Sequence, residues 1–223
     1  MSVVVRAFTV VWLGLVTLYA QATEAATLDQ AYQLVEDTTA EVMTVVQAAD
    51  DYVDEDPERY YRQVEEILDP LIDYRGFARS VMGDYASSRR YRSLDEAGRE
   101  KLRDQLDRFT AAMRSSLVRT YSKGLLAFGG SRIELAEREE EDPAAKRVSV
   151  KQLIYADRSS PYEMLYMMGL SKSDEWKLRN VIIESVNLGE IYRDQFLASA
   201  RENDGDLDAV IASWTVVTVD VEE

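Results

Sequence analysis

The first half of the chain carries hydrophobic residues at three- and four-residue steps, a spacing typical of amphipathic helices. A first helix is predicted to begin at a capping box, in which Thr27 and Gln30 satisfy free backbone N–H groups. A second helix is predicted to begin at Asp56-Pro57 and to end at Pro70. The pattern therefore predicts a helical N-terminal half.

Two more helices complete this half of the chain. A short one is predicted over residues 74–82, broken near Gly83. The longest helix is predicted to begin at a second capping box, Ser93-Leu94-Asp95-Glu96, and to end near residue 128. Gly129-Gly130 supplies the stop signal, because glycine readily adopts the backbone conformation that closes a helix.

The second half changes to patterns typical of strands, at residues 132–138, 147–157, 162–170 and 176–186. The connections between them are short, which favours an antiparallel meander over crossover units. Helical spacing returns over residues 188–202, and Asp206 is predicted to cap a last helix. We therefore expect an α+β fold in which a curved antiparallel sheet of about four strands packs against a helical bundle.

The third predicted strand is apolar on both faces. Met164, Leu165, Tyr166, Met167 and Met168 are consecutive, whereas a sheet with one wet face alternates apolar and polar residues. One face is expected to pack on the helices, and the other needs a cover or a ligand. The sequence thus predicts an enclosed apolar cavity, or, in the plainer interpretation, an ordinary core on both faces.

The N-terminal residues have the layout of a secretory signal peptide. Arg6 precedes an apolar stretch, and small residues follow at Ala20 and Ala22. The stretch is shorter than the roughly 20 residues of a membrane-spanning helix. We predict a signal peptide over residues 1–22, with cleavage as late as residue 26 also compatible. A single domain over residues 23–215 and a loose tail over residues 216–223 would follow.

Charge and composition exclude several classes of function. The chain has 26 Lys and Arg against 41 Asp and Glu, a net charge of -15, which disfavours nucleic acid and anionic bilayers as standing partners. It contains neither histidine nor cysteine, so thiol nucleophiles, histidine triads and disulfides are excluded. The densest carboxylate cluster, Glu139-Glu140-Glu141-Asp142, is interpreted as a charged hairpin tip. We therefore expect a protein that binds a hydrophobic ligand, and neither an enzyme nor a protein with a metal or cofactor.

Several separated runs of residues resemble the MlaC family, also called toluene-tolerance proteins. They are Leu68-Asp69-Pro70-Leu71-Ile72-Asp73-Tyr74, Val81-Met82-Gly83-Asp84-Tyr85, Leu117-Val118-Arg119-Thr120-Tyr121-Ser122-Lys123-Gly124-Leu125, Trp176-Lys177 and Tyr192-Arg193-Asp194-Gln195-Phe196. The chain departs from the family pattern at Asn180, Ser185 and Asn187, where Asp, Gly and Ser are usual. Its acidity is a further departure.

The resemblance implies a periplasmic phospholipid carrier. Such carriers hold lipid tails between a sheet and helices, and exchange lipid with an inner-membrane ABC transporter carrying an MCE-domain subunit and with an outer-membrane lipoprotein–porin complex. The implied tail-contacting residues are Leu71, Tyr74, Phe77, Val81, Phe109, Met113, Leu117, Tyr121, Tyr155, Met164, Tyr166, Met168, Trp176, Leu178, Val181 and Ile183. Tyr192 and Arg193 are candidates for head-group contact, or are a tyrosine packed under the sheet and an arginine paired with a local carboxylate. The alternatives are a carrier of another hydrophobe, such as a hopanoid or an aromatic solvent, and a structural factor without a ligand.

Overall fold

The computed structural model describes residues 26–156 and 158–216. The predicted signal peptide lies outside the described residues, as does all of the predicted tail except its first residue. Within the described part, the helices are α1 Leu28–Ala49, α2 Pro57–Leu68, α3 Tyr74–Met82, α4 Ser88–Ser93, α5 Glu96–Leu126, α6 Leu188–Glu202 and α7 Leu207–Ala212, with a 3₁₀ helix at Gly83–Ala86. No helix in these ranges is long and apolar enough to span a membrane.

The strands form one antiparallel sheet in the order of the chain, which confirms the predicted meander and the α+β class. They are β1 Arg132–Leu135, β2 Arg147–Tyr155, β3 Tyr162–Leu170, β4 Trp176–Ile183 and β5 Val186–Asn187. The sheet has five strands in place of about four, because residues 176–186 divide at a two-residue turn. The carboxylate run 139–142 lies in the connection between β1 and β2.

The turn between β4 and β5 has an unusual backbone. Ile183 pairs with Val186, and the two residues between them, Glu184 and Ser185, have φ angles of 47° and 72°. Two positive φ angles are typical of the type I′ hairpin turn, which matches the twist of the strands. This geometry favours glycine or asparagine, so Ser185 adopts a conformation that its Cβ makes costly.

The predicted start of the long helix is wrong by two residues. Asp95, and not Ser93, is the N-cap of α5, because its carboxylate accepts a hydrogen bond from the Gly98 N–H at 2.8 Å. Ser93 instead ends α4 and donates to the Arg90 carbonyl. Aspartate offers the same capping chemistry as serine. Because Ser93 is already the last residue of α4, Asp95 caps the long helix.

A short extended segment joins the helices to the sheet. Ile72 forms a parallel bridge with Leu178 of β4, and the Leu178 N–H donates to the Leu71 carbonyl at 2.9 Å. Asp73 then caps α3 and forms an ion pair with Arg179 of β4. A Cβ at Gly76 would lie 2.1 Å from the Asp73 carboxylate, so this arrangement requires glycine there. The segment fixes α3 against β4.

Candidate functional site

The inner face of the sheet, defined as the face that carries Val148, Val150, Gln152 and Ile154 of β2, packs on the helices. Residues paired across antiparallel strands share a face. The register therefore places Tyr162, Met164, Tyr166 and Met168 of β3 on the inner face, together with Trp176, Leu178, Val181 and Ile183 of β4. This face has two halves that differ in packing.

The closed half of the inner face is a conventional core. It consists of Val148, Val150, Met168, Trp176 and Leu178, all of them buried. Small and branched side chains of α1, with Leu71, fill the space over it. The indole N–H of Trp176 donates to the Thr27 carbonyl at 2.8 Å, which fixes the start of α1 on β4.

A chain of polar groups borders the closed half. The Tyr166 hydroxyl donates to the Gln152 side-chain oxygen at 2.9 Å, and the Gln152 amide donates to Thr39 Oγ1 at 3.1 Å. Thr39 in turn donates to the Val35 carbonyl at 2.7 Å. Burial raises the pKa of Tyr166 above its ordinary value, since the phenolate would lose its hydration. The chain satisfies the polar atoms of Gln152, whose side chain is buried in an apolar setting.

The open half of the inner face carries equally apolar side chains that remain partly exposed. Met164 pairs with Ile183, Tyr166 pairs with Val181, and all four are half-buried. Leu117 and Tyr121 of α5 are half-buried too, and they pack on the same core cluster as Val181 and Ile183. The main backbone contacts of α5 are with other helices. We name the apolar surface formed by Leu117, Tyr121, Met164, Val181 and Ile183 the cleft.

A pair of tyrosine hydroxyls lies behind the cleft. The hydroxyl of Tyr121 is hydrogen-bonded to that of Tyr192, which is fully buried. The Phe77 ring packs edge-on against Tyr192, with ring centroids 6.3 Å apart. Burial raises the pKa of both tyrosines, and the Tyr121 hydroxyl raises that of Tyr192 further. Both therefore remain neutral over the physiological range.

A cation lies at the end of β3 where the open half begins. The Arg158 guanidinium carbon is 4.1 Å from the centroid of the Tyr162 ring, and Phe128 packs edge-on against the same ring at 5.6 Å. Arg158 is 3.8 Å from the Glu184 carboxylate, and its Nη1 has no hydrogen-bond partner within the described ranges. Sequence reasoning missed Arg158. The sequence could have indicated Arg158, because this cation stands in the short turn before a strand that begins with an aromatic residue.

The predicted tail-contacting residues divide by burial. Seven are half-buried, and nine are buried: Leu71, Tyr74, Phe77, Val81, Phe109, Met113, Met168, Trp176 and Leu178. Tyr155 stands apart from the other half-buried residues, because its alternation with Ile154 places it on the outer face, where Arg132 stacks on its ring. Lipid contact by any of them stays a prediction.

The two predicted head-group residues lie apart from each other. Tyr192 is buried in the cluster behind the cleft, and Arg193 is exposed on α6. A Cβ at Gly83, in the 3₁₀ helix after α3, would lie 3.3 Å from the Arg193 guanidinium, so Arg193 lies beside that end of α3. A head-group role for either residue stays a prediction.

Comparisons with known proteins give a family, a relative and a structure of similar fold. The family model described as MlaC protein matches residues 36–216. The toluene tolerance protein Ttg2D of Pseudomonas putida is 28% identical over 183 residues, which is 82% of this chain and 79% of that protein. The solved structure of a phospholipid-binding protein from Ralstonia solanacearum, in complex with a phospholipid, superimposes with a TM-score of 0.63 at 16% identity. The superposition covers 82% of this chain and 93% of the chain of the Ralstonia solanacearum protein.

Proposed function

Because the chain belongs to the MlaC family, we propose that it holds the acyl chains of a phospholipid in the cleft and carries the lipid through the periplasm. MlaC proteins are the non-enzymatic periplasmic carriers of the Mla lipid-asymmetry system. The observation behind the proposal is the open half of the inner face, where apolar side chains of β3 and β4 stay partly exposed, and where Leu117 and Tyr121 of α5 pack on the same core cluster as the β4 side chains.

The physical basis is shielding of the acyl chains from water. Each methylene buried is worth about 0.8 kcal/mol, so two long chains leave the protein into water very slowly. Methionine suits such a surface, because its unbranched thioether adapts to ligands of irregular shape. We assign tail contact to the five cleft residues, and a supporting role to the nine buried residues.

We propose that Arg158 contacts the lipid phosphate. Its Nη1 lacks a hydrogen-bond partner among the described residues, and it lies at the end of the open half against Tyr162. A guanidinium pairs with a phosphate through charge-assisted hydrogen bonds, which are about twice as strong as neutral ones. Arg158 would then fix the head group at the end of the cleft while the tails lie inside.

Release of the lipid from such a site needs a partner that opens the cleft or offers a competing apolar site. We propose as partners the MCE-domain subunit of an inner-membrane ABC transporter and an outer-membrane lipoprotein–porin complex. The net charge of -15 supports exchange through docked proteins, since an acidic carrier is repelled by anionic bilayers. The same charge argues against nucleic acid as a partner.

Mass spectrometry of organic extracts tests the proposal. Protein purified without detergent should release a phospholipid in near-stoichiometric amount. A hopanoid or an aromatic solvent in its place would support the alternative of another hydrophobe. Folded protein that is empty and takes up no added lipid would support a structural factor and refute the carrier.

The head-group assignment has its own test. Arg158→Ala should lower phospholipid retention after gel filtration, while Arg158→Lys should restore part of it. Arg201→Ala is the matched control, because it removes the same charge from an exposed position on α6, and Arg193→Ala tests the other head-group candidate. A larger loss from Arg193→Ala than from Arg158→Ala would refute the assignment.

A further inference from the structure

Charge is distributed unevenly along this acidic chain. Residues 27–69 contain thirteen carboxylates and two arginines. Residues 75–92, by contrast, contain five arginines and one carboxylate, Asp84. Residues 75–92 therefore carry a local excess of positive charge in a molecule whose net charge is negative. The electrostatic field of such a region selects partners by their charge.

Three of these arginines, Arg75, Arg79 and Arg92, border a groove of about 940 Å³ that the proposed function does not use. The groove lies between α3, α4, the first turns of α5 and the turn that joins β3 to β4. Seven of its lining side chains are cationic and two are carboxylates, and we name it the cationic groove. Leu102, Leu106 and Leu170 give it an apolar floor.

Its two carboxylates are already neutralised by neighbours. Asp73 is paired with Arg179, and Glu175 lies 3.3 Å from the Lys177 ammonium. Arg75 is paired with Asp107. Four cations, Arg79, Arg92, Arg103 and Lys172, therefore have no carboxylate partner in the described part of the chain. Of these four, only Arg103 has a side-chain hydrogen bond to another described residue, and it donates to the Tyr91 hydroxyl at 3.0 Å.

From this arrangement we infer that the cationic groove is a docking surface for an acidic, partly apolar peptide segment of a partner protein. Charge complementarity supplies the argument, because four cations without a carboxylate partner among the described residues line one concave space, together with leucine side chains. A bilayer surface is flat on this scale and cannot enter a groove. A small anion would leave most of the volume and the apolar floor unused.

The inference is independent of lipid carriage. None of the cleft residues lines the cationic groove. Leu170, in the groove, and Tyr162, at the open half, are the two ends of β3, about 26 Å apart at 3.3 Å per residue. A partner in the groove would therefore leave the open half accessible.

The test is fluorescence anisotropy with a labelled ten-residue peptide of alternating Glu and Leu. Arg79→Glu and Lys172→Glu should each weaken binding by about tenfold or more, because they place like charges against the peptide. Rising salt should weaken it as well, since the exposed charges are screened. The matched control is Lys123→Glu, which reverses an exposed cation at the far end of α5, about 30 Å from Arg103 at 1.5 Å per residue. It should change the affinity by less than about twofold.

Several results would overturn the inference. The first is that the peptide does not bind. The second is that Arg79→Glu, Lys172→Glu and Lys123→Glu weaken binding equally. The third is that Met164→Asp abolishes binding while Arg79→Glu retains it, which would place the peptide in the cleft. Binding to anionic vesicles without peptide binding would assign the groove to membranes. Self-association that Lys172→Glu abolishes would assign it to a second copy. Circular dichroism and lipid content of each variant separate these outcomes from misfolding and from failure of the carrier proposal.

Discussion

The two halves of the inner sheet face contain the same kinds of residue on the same strands, yet one half is core and the other is a cleft. Met168 is 2% exposed in the closed half, whereas Met164, four residues away on the same face, is half-buried. The difference lies in the opposing helix. α1 packs small residues, such as Ala31 and Val35, directly on the closed half. α5 makes its main backbone contacts with other helices, and the side chains of the open half stay partly exposed.

The comparison teaches that strand composition does not decide which apolar surface can receive a ligand. A core position loses stability when its packing is disturbed, because the surrounding side chains cannot relax fully. A cleft position tolerates change and loses the ligand first. Substitution of matched residues in the two halves therefore distinguishes stability from binding.

The largest effect is expected from Met168→Asp in the closed half. A carboxylate there would be buried without a partner, which costs at least about 3 kcal/mol or forces the group to stay protonated. We expect the thermal unfolding midpoint to fall sharply and soluble yield to drop. Met168→Leu, which roughly conserves volume, should cost less than about 1.5 kcal/mol. Native stability in Met168→Asp would contradict the distinction between the halves.

Met164→Asp, in the open half, should have the opposite profile. Its side chain is partly exposed, so a carboxylate there keeps some hydration. We expect a modest fall in the unfolding midpoint and a severe loss of co-purified phospholipid, since the charge would face acyl chains. Met164→Leu is the control that keeps the surface apolar. The assignment of the cleft fails if Met164→Asp retains full lipid content.

The tyrosine that borders the closed half should make stability depend on alkaline pH. Burial raises the pKa of Tyr166 above its ordinary value of about 10, so the folded protein holds the proton more tightly than the unfolded chain does. Its contribution is complete below pH 10 and is lost as pH rises further, by up to about 1.4 kcal/mol per pH unit.

Urea unfolding at pH 8 and pH 11 measures this dependence. Tyr166→Phe should reduce the fall in the urea midpoint between these pH values. Equal pH dependence in the wild type and in Tyr166→Phe would show that this hydroxyl is not buried as described.

The smallest effect is expected from Ser185→Gly, in the turn that follows the open half. Glycine removes the Cβ that makes a φ of 72° costly, so stability should rise by about 0.5–1 kcal/mol. Lipid content should stay at the wild-type level, which would show that loading does not simply follow stability. A fall in the unfolding midpoint would mean that the Ser185 side chain stabilises the turn.

Sequence patterns predicted most of the fold, because short stretches of sequence determine its helices and the order of its strands. The helices of the first half and the antiparallel order of the strands follow from hydrophobic spacing and from short connections. The division of residues 176–186 into two strands was missed, because Glu184 and Ser185 are not typical turn residues. The family departures at Asn180 and Asn187 keep a polar junction, in which the Asn180 amide donates to Asn187 at 2.7 Å.

The candidate site was less predictable for a physical reason. Periodicity says which face of an element is apolar, but not how far the opposing element stands from it. Met113 and Leu117 lie one turn apart on α5, and only the first is fully buried. Tyr155 was grouped with the inner-face residues because the alternation of β2 could be read in either register. Burial at these positions depends on contacts between residues far apart in the chain.

The consecutive order of the strands also bears on how the chain folds. Each hairpin of the meander joins near neighbours in sequence, and such local contacts form fast. The hydrogen bond between Trp176 and Thr27 spans 149 residues and holds the start of α1 on the sheet. We expect the hairpins to form early and α1 to dock late, so that substitutions at Ala31 accelerate unfolding and hardly change the rate of folding. Stopped-flow measurement of both rates would test this order of assembly, in which the ligand surface exists before the core beside it is complete.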